Sequence, residues 1–110
     1  MPGAHDVALQ IDWFWTCAGK ALVYREGEGL FTSDGTQIGH FLGDEIYGRD
    51  GNYLGEVASS GRLVTQLNKT RWQRSGFFPT TSKNLLPPED VESESVSSGF
   101  KDFKIPRQHA

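Results

Sequence analysis

The sequence predicts an all-β fold: four β-hairpin repeats of sixteen residues around a pseudo-four-fold axis, then a mostly irregular C-terminal tail. Asp-Gly occurs at Asp34-Gly35 and again at Asp50-Gly51. An aromatic precedes each pair (Phe31, Tyr47) and an aliphatic-Gly follows it (Ile38-Gly39, Leu54-Gly55), all at a constant offset of sixteen. Thirteen glycines and 12% aromatic residues in 110 positions suit a single, turn-dense β domain.

The offset carries backward to Phe14-Trp15 and forward to Arg62-Leu63, giving copies at 14–29, 30–45, 46–61 and 62–77. Asp-Gly between short alternating runs marks a hairpin, because a type I′ turn needs positive φ at both central residues. Gly adopts that conformation freely and Asp tolerates it. A two-residue loop at Asp34-Gly35 predicts Phe31 opposite Ile38. The same register sets Tyr47 opposite Leu54, Trp15 opposite Leu22 and Leu63 opposite Thr70. Such pairs stabilise one face of a sheet, and their neighbours, such as Thr32 and Gln37, face the other way. The expected sheet therefore has one buried face.

Gly39 and Gly55 fall inside strands, where Gly marks a bulge, a bend or a close backbone approach. The linkers Arg25–Gly29, Leu42–Glu45 and Ala58–Gly61 reverse the chain between hairpins. Eight short antiparallel strands can form petals around an axis or close into an up-and-down barrel, and their shortness favours petals. The first copy departs from the pattern at Ala18 and Val23. The fourth has Leu67 and Thr70 where the second and third have Gly and an aliphatic.

The organisation reads as a flexible leader (1–10), a four-hairpin domain (11–78) and a disordered or loosely packed tail (79–110). Residues 80–110 hold three of the five prolines and an acidic, Ser-rich stretch at 89–98. The tail's alternating end, Gly99 to Pro106, fits Phe residues packing back on the domain, or a strand added to a sheet edge.

The unit resembles that of the bacterial four-fold beta flower proteins. Phe31, Asp34, Gly35, Ile38, Gly39, Asp44, Ile46, Tyr47, Asp50, Gly51, Leu54 and Gly55 carry the likeness. It is good over 30–57, looser over 14–77, and does not cover the leader or the tail. It implies petal-like hairpins and transfers no catalytic residue.

Net charge is −3 and spread along the chain, without the basic excess of a dedicated nucleic-acid binder. One cysteine, Cys17, excludes an internal disulfide framework. The N-terminus shows no signal peptide, and no apolar run is long enough to span a membrane, so a cytoplasmic protein is expected. His5 and His109 lie near the termini, and His40 reads as a strand-edge residue. Cys17 reads as an inert, partly packed thiol despite Lys20 nearby. Asp34, Asp44, Glu45 and Asp50 fit no calcium-loop spacing, and two of them serve the turns. Gly27-Glu28-Gly29 lacks the remaining parts of a phosphate loop.

Arg62, Lys69, Arg71, Trp72 and Arg74 place four cations and a Trp within thirteen residues. Such a cluster tracks phosphates and stacks a base, or forms a charged edge that discourages aggregation. The edge is the favoured reading. The function expected is a non-catalytic structural or protein-interaction module, without cofactor, that binds a protein partner or itself. The alternative is a nucleic-acid or anionic-ligand site at Arg71, Trp72 and Arg74.

Overall fold

The structure, a computed structural model, describes residues 10–106. The expected leader, apart from Gln10, lies outside the described residues, as do His5 and His109. The chain is all-β. Its strands are β1 (Ile11–Thr16), β2 (Ala21–Glu26), β3 (Gly29–Thr32), β4 (Gln37–Leu42), β5 (Glu45–Tyr47), β6 (Tyr53–Val57), β7 (Arg62–Gln66) and β8 (Phe100–Asp102). Neighbours in sequence pair antiparallel from β1 to β7. The sheet then closes into a seven-stranded barrel where β1 meets β7 in parallel, Trp15 beside Arg62 and Thr16 beside Leu63. β8 continues that line along the rest of β7, with Val64 opposite Asp102 and Gln66 opposite Phe100. The hairpins thus merge into one wall instead of standing apart as petals, because each linker strand pair is hydrogen-bonded too, as in β2–β3 and β4–β5.

The turns at 17–19, 33–35 and 49–51 share one geometry. Gly19, Gly35 and Gly51 have φ of +96°, +89° and +88°. Their N–H groups donate to the carbonyls of Thr16, Thr32 and Gly48 at 2.8–2.9 Å. Thr16, Thr32 and Gly48 in turn donate to Lys20, Thr36 and Asn52 at 2.8–2.9 Å. This is a three-residue loop ending in a left-handed Gly, not the two-residue type I′ loop expected. The ladder shifts by one in each hairpin: Trp15 pairs with Ala21, Phe31 with Gln37 and Tyr47 with Tyr53. Leu22, Ile38 and Leu54 are the bulged residues.

Beyond each bulge the ladder returns to the pairing that the expected register sets, Phe14 with Val23, Leu30 with Gly39 and Ile46 with Gly55. The residues these strands send into the core are nevertheless Phe14, Leu30 and Ile46, not the aromatics that follow them. The core also contains Val23, Ile38, Phe41, Leu63 and Phe103. Across from Leu30 and Ile46 stand Gly39 and Gly55. A Cβ on Gly55 would lie 2.6 Å from the Val64 carbonyl and 2.7 Å from the Phe103 ring, so close packing explains the absent side chain.

Tyr24, Phe31, Tyr47 and Tyr53 are buried without belonging to that core. They form an outer girdle: Tyr24 stacks on Phe31 at 5.5 Å, meets Trp13 at 5.2 Å, and Tyr47 meets Tyr53 edge-on at 5.8 Å. The sheet is covered on both sides here, contrary to the one-sided expectation.

The covering is residues 71–98, hereafter the belt. The fourth copy makes no hairpin. β7 leads into a 3-10 turn at Leu67–Lys69, since Leu67 cannot replace the left-handed Gly that closes the other turns. The chain then passes the three turns in reverse order. Arg74 N–H donates to the Gly51 carbonyl and Phe77 N–H to Arg49. Ser82 and Leu85 repeat this at Gly35 and Ser33, and Val91 and Glu94 at Gly19 and Cys17, all six bonds spanning 2.7–3.2 Å. Composition alone predicts a loose tail; this segment is irregular but registered on the barrel. Beyond it, β8 adds a strand to the protein's own sheet and Phe103 enters the core, so both readings of the alternating end apply at once.

The belt passes so close that a Cβ on Gly35 would lie 2.4 Å from the Ser82 carbonyl oxygen. Gly43 has φ +66° with nothing within 4 Å of such a Cβ. Gly43→Ala should therefore cost only the left-handed strain, about 1–2 kcal/mol in urea unfolding. Gly35→Ala should cost about 2–4 kcal/mol, because a belt contact is lost as well. Only Gly35→Ala should speed tryptic cleavage at Lys83 in the folded protein.

Candidate interaction surface

The sequence-expected ligand residues lie where β7 hands the chain to the belt. Trp72 accepts a hydrogen bond from Tyr53 N–H at its carbonyl, 3.0 Å, and is 41% exposed. The Lys69 ammonium lies 4.9 Å from its ring centroid and the Arg74 guanidinium 5.7 Å. Arg74 also approaches Tyr47 at 6.0 Å, while its backbone docks on Gly51. Arg71 is exposed. The fold thus brings Trp72 and Arg74 together and adds Lys69.

Lys69 is committed elsewhere. Its ammonium donates to Glu45 Oε2 at 2.7 Å and Glu56 Oε1 at 2.8 Å. Tyr47 and Tyr53 hydroxyls donate to the same two carboxylates at 2.8 Å. Tyr53 accepts Gln66 N–H at 3.0 Å. The two carboxylates push Lys69 well above the ordinary lysine range. The Lys69 bond, then the Tyr47 bond, hold Glu45 below the usual carboxylate range. Burial first of all raises Tyr53. The network pins the 3-10 turn to β5 and β6.

Arg62, the fourth cation, is 7% exposed and donates to the Thr16, Cys17 and Glu92 carbonyls at 2.7–3.3 Å. Glu94 adds an ion pair at 3.4 Å. Together with Cys17 and Phe100 they line a cleft of about 130 Å³. Cys17 is buried, and its thiol is pushed up by that burial and by Asp102, which outweigh the opposing charge of Arg62. It stays protonated at neutral pH and is a poor nucleophile.

The remaining chemical candidates serve the belt and the turns. His40 places Nε2 2.9 Å from the Ser75 carbonyl, donating to it, and meets Phe77 edge-on. Tyr24, sixteen residues earlier, donates to the Lys83 carbonyl at 2.8 Å. Asp50 accepts Asn52 N–H at 3.0 Å and Asp34 accepts Thr36 N–H at 3.1 Å. The Thr32 hydroxyl and then Thr36 hold Asp34 below the usual range. Ala18 has no such carboxylate: the matching Lys20 N–H donates to the Thr16 hydroxyl at 3.2 Å, and Asp102 of β8 accepts the Cys17 and Ala18 N–H groups of the same turn at 2.7 and 3.0 Å. Among the described residues no group of three or more His, Cys, Asp or Glu is placed to hold a metal ion.

Sequence reasoning missed the belt's outer face. Phe78 is 94% exposed and Leu86 is 92% exposed, while their predecessors Phe77 and Leu85 dock on the turns. The available signal was Phe77-Phe78-Pro79 followed eight residues later by Leu85-Leu86-Pro87. That step equals the belt's stride from Arg74 to Ser82. The belt is also polarised: 71–83 carries three cations and no acid, 84–98 four acids and no base.

The chain matches no protein-family model, no curated protein and no solved structure. No helix among the described residues is long and apolar enough to cross a membrane.

Lys69→Met should lower stability by about 1–3 kcal/mol at neutral pH, because it strands two partly buried carboxylates. Glu45 has a depressed folded value, so its contribution is full above the ordinary value of 4.5 and fades as pH falls through the depressed one. The wild-type advantage in urea unfolding should therefore shrink below about pH 4.

Proposed function

We propose that this chain is a non-catalytic structural and protein-interaction module. The observation that carries the reading is the pair Phe78 and Leu86, large apolar side chains held in solvent by a backbone registered on the barrel. Exposed apolar residues on a pinned segment offer burial to a partner with little ordering cost. The titratable clusters support it too: Lys69 and Arg62, the most engaged cations, are saturated by partners within the chain. Membership of the four-fold beta flower proteins belongs to the same proposal, supported by the turn geometry that recurs every sixteen residues at Gly19, Gly35 and Gly51. So does a cytoplasmic location, supported by the single buried thiol of Cys17. Immobilised wild type should retain a specific protein that Phe78→Ser/Leu86→Ser fails to retain. Identical captured sets would overturn the reading.

Trp72 favours a second reading. A half-exposed indole beside Lys69 and Arg74 is suited to stacking a base while Arg71 and Arg74 meet phosphate. Oligonucleotide should then quench tryptophan fluorescence at about 50 mM salt, and much less at about 200 mM. No quenching at low salt overturns this reading.

A further inference from the structure

We infer that the partner of the belt is a second copy of this chain, docked belt against belt about a two-fold axis. The inference rests on the interaction-module reading and names its occupant.

The order of groups along the belt carries it. From Arg71 the exposed side chains run basic around Trp72 (Arg71, Arg74), apolar (Phe78), basic (Lys83), apolar (Leu86) and acidic around Val91 (Glu89, Asp90, Glu92), with Phe78 and Leu86 far more exposed than Trp72 and Val91. A two-fold axis sets one belt antiparallel to the other, so each residue on one meets its counterpart in reverse order. Centred on Ser82, this places Phe78 of one copy opposite Leu86 of the other. Arg74 then falls opposite Asp90, and Arg71 opposite Ser93, between Glu92 and Glu94. The basic half of each belt meets the acidic half of its mate, and the bare apolar side chains meet in between. A parallel arrangement would set three cations against three and four acids against four, which opposes association. The polarity therefore selects one orientation, and that orientation is self-complementary.

The surface is prepared for contact. Six backbone hydrogen bonds hold the belt on the three turns, so little conformational freedom is lost on docking. Pro79 and Pro87 follow the two apolar residues and restrict the backbone there. Burying Phe78 and Leu86 from both copies, with the belt backbone around them, reaches the lower end of a specific interface, about 1,200 Å². A dissociation constant in the micromolar range is expected from an interface of that size, about 1–100 μM.

Sedimentation velocity on the full chain, from about 1 to 200 μM, tests this. The wild type should pass from monomer to dimer over that range. Raising salt from about 50 to 500 mM should weaken the dimer, since the belt-end charges are exposed. Phe78→Ser/Leu86→Ser should weaken it at least about tenfold while leaving the thermal midpoint unchanged, because both side chains are solvent-exposed in the monomer. Arg71→Glu should weaken the dimer, and Arg71→Glu/Glu92→Lys should restore it. A wild type that stays monomeric throughout, or a dimer indifferent to Phe78→Ser/Leu86→Ser, overturns the inference. A monomer that still captures a different protein through Phe78 and Leu86 also overturns it, and leaves the module reading standing. A monomer with no such capture overturns both.

Discussion

The fold depends on three glycines in the left-handed region, Gly19, Gly35 and Gly51. Each closes a three-residue turn, and each leaves room for a second segment of chain to lie against the turn. The same absence of Cβ serves both purposes. At all three, an added Cβ would lie 2.0–2.4 Å from a belt carbonyl oxygen. Each turn is joined to a bulge, at Leu22, Ile38 and Leu54, and beside it Phe14, Leu30 and Ile46 face inward. Because the aromatics then face outward, the girdle of Tyr24, Phe31, Tyr47 and Tyr53 needs a cover. The belt is that cover, and it is registered by the glycines that created the need for it.

The departures from the repeat have a structural cause. Ala18 interrupts the turn chemistry of the first copy, and Asp102 from β8 accepts the N–H groups there. Arg62 begins the fourth copy where an apolar residue begins the others, and its guanidinium ties the end of β1 to the end of the belt. Lys69 occupies the eroded part of that copy and clamps the chain to Glu45 and Glu56 as it leaves the barrel. Positions freed from the hairpin pattern are those that attach the later segment. Arg62 and Lys69 are two of the four cations that, in sequence, resemble a phosphate-binding cluster.

What remains unabsorbed by folding lies on the outer surface of the belt. Trp72, Phe78 and Leu86 are exposed, and the charge runs from basic to acidic along the segment. A polypeptide that only covered a girdle would need apolar residues inward, as Phe77 and Leu85 provide in part. The next residue in each case points to solvent. A recurring bare apolar residue on an anchored segment is the feature that most clearly asks for a partner.

The all-β class, the chain reversals at Gly35 and Gly51 and the linker positions were legible in the sequence, because Asp-Gly and alternation act locally. The bulges were not. Two-residue and three-residue loops accept the same Asp-Gly, and the choice between them changes the pair beside each turn, Phe31 with Gln37 and Tyr47 with Tyr53, while Leu30 still meets Gly39 and Ile46 still meets Gly55. Closure was not legible either, since pairing Trp15 with Arg62 is a long-range event with no local mark. The path of the belt was not legible, because a polar, Pro-rich composition predicts disorder when a segment must supply its own core. This segment does not. It borrows backbone hydrogen-bond acceptors from Gly19, Gly35 and Gly51 and apolar cover from the girdle. The sequence by itself determined where the chain turns and that it forms sheet. The tertiary structure decided which face is inside and what lies over the other, because both depend on contacts between residues far apart in the chain.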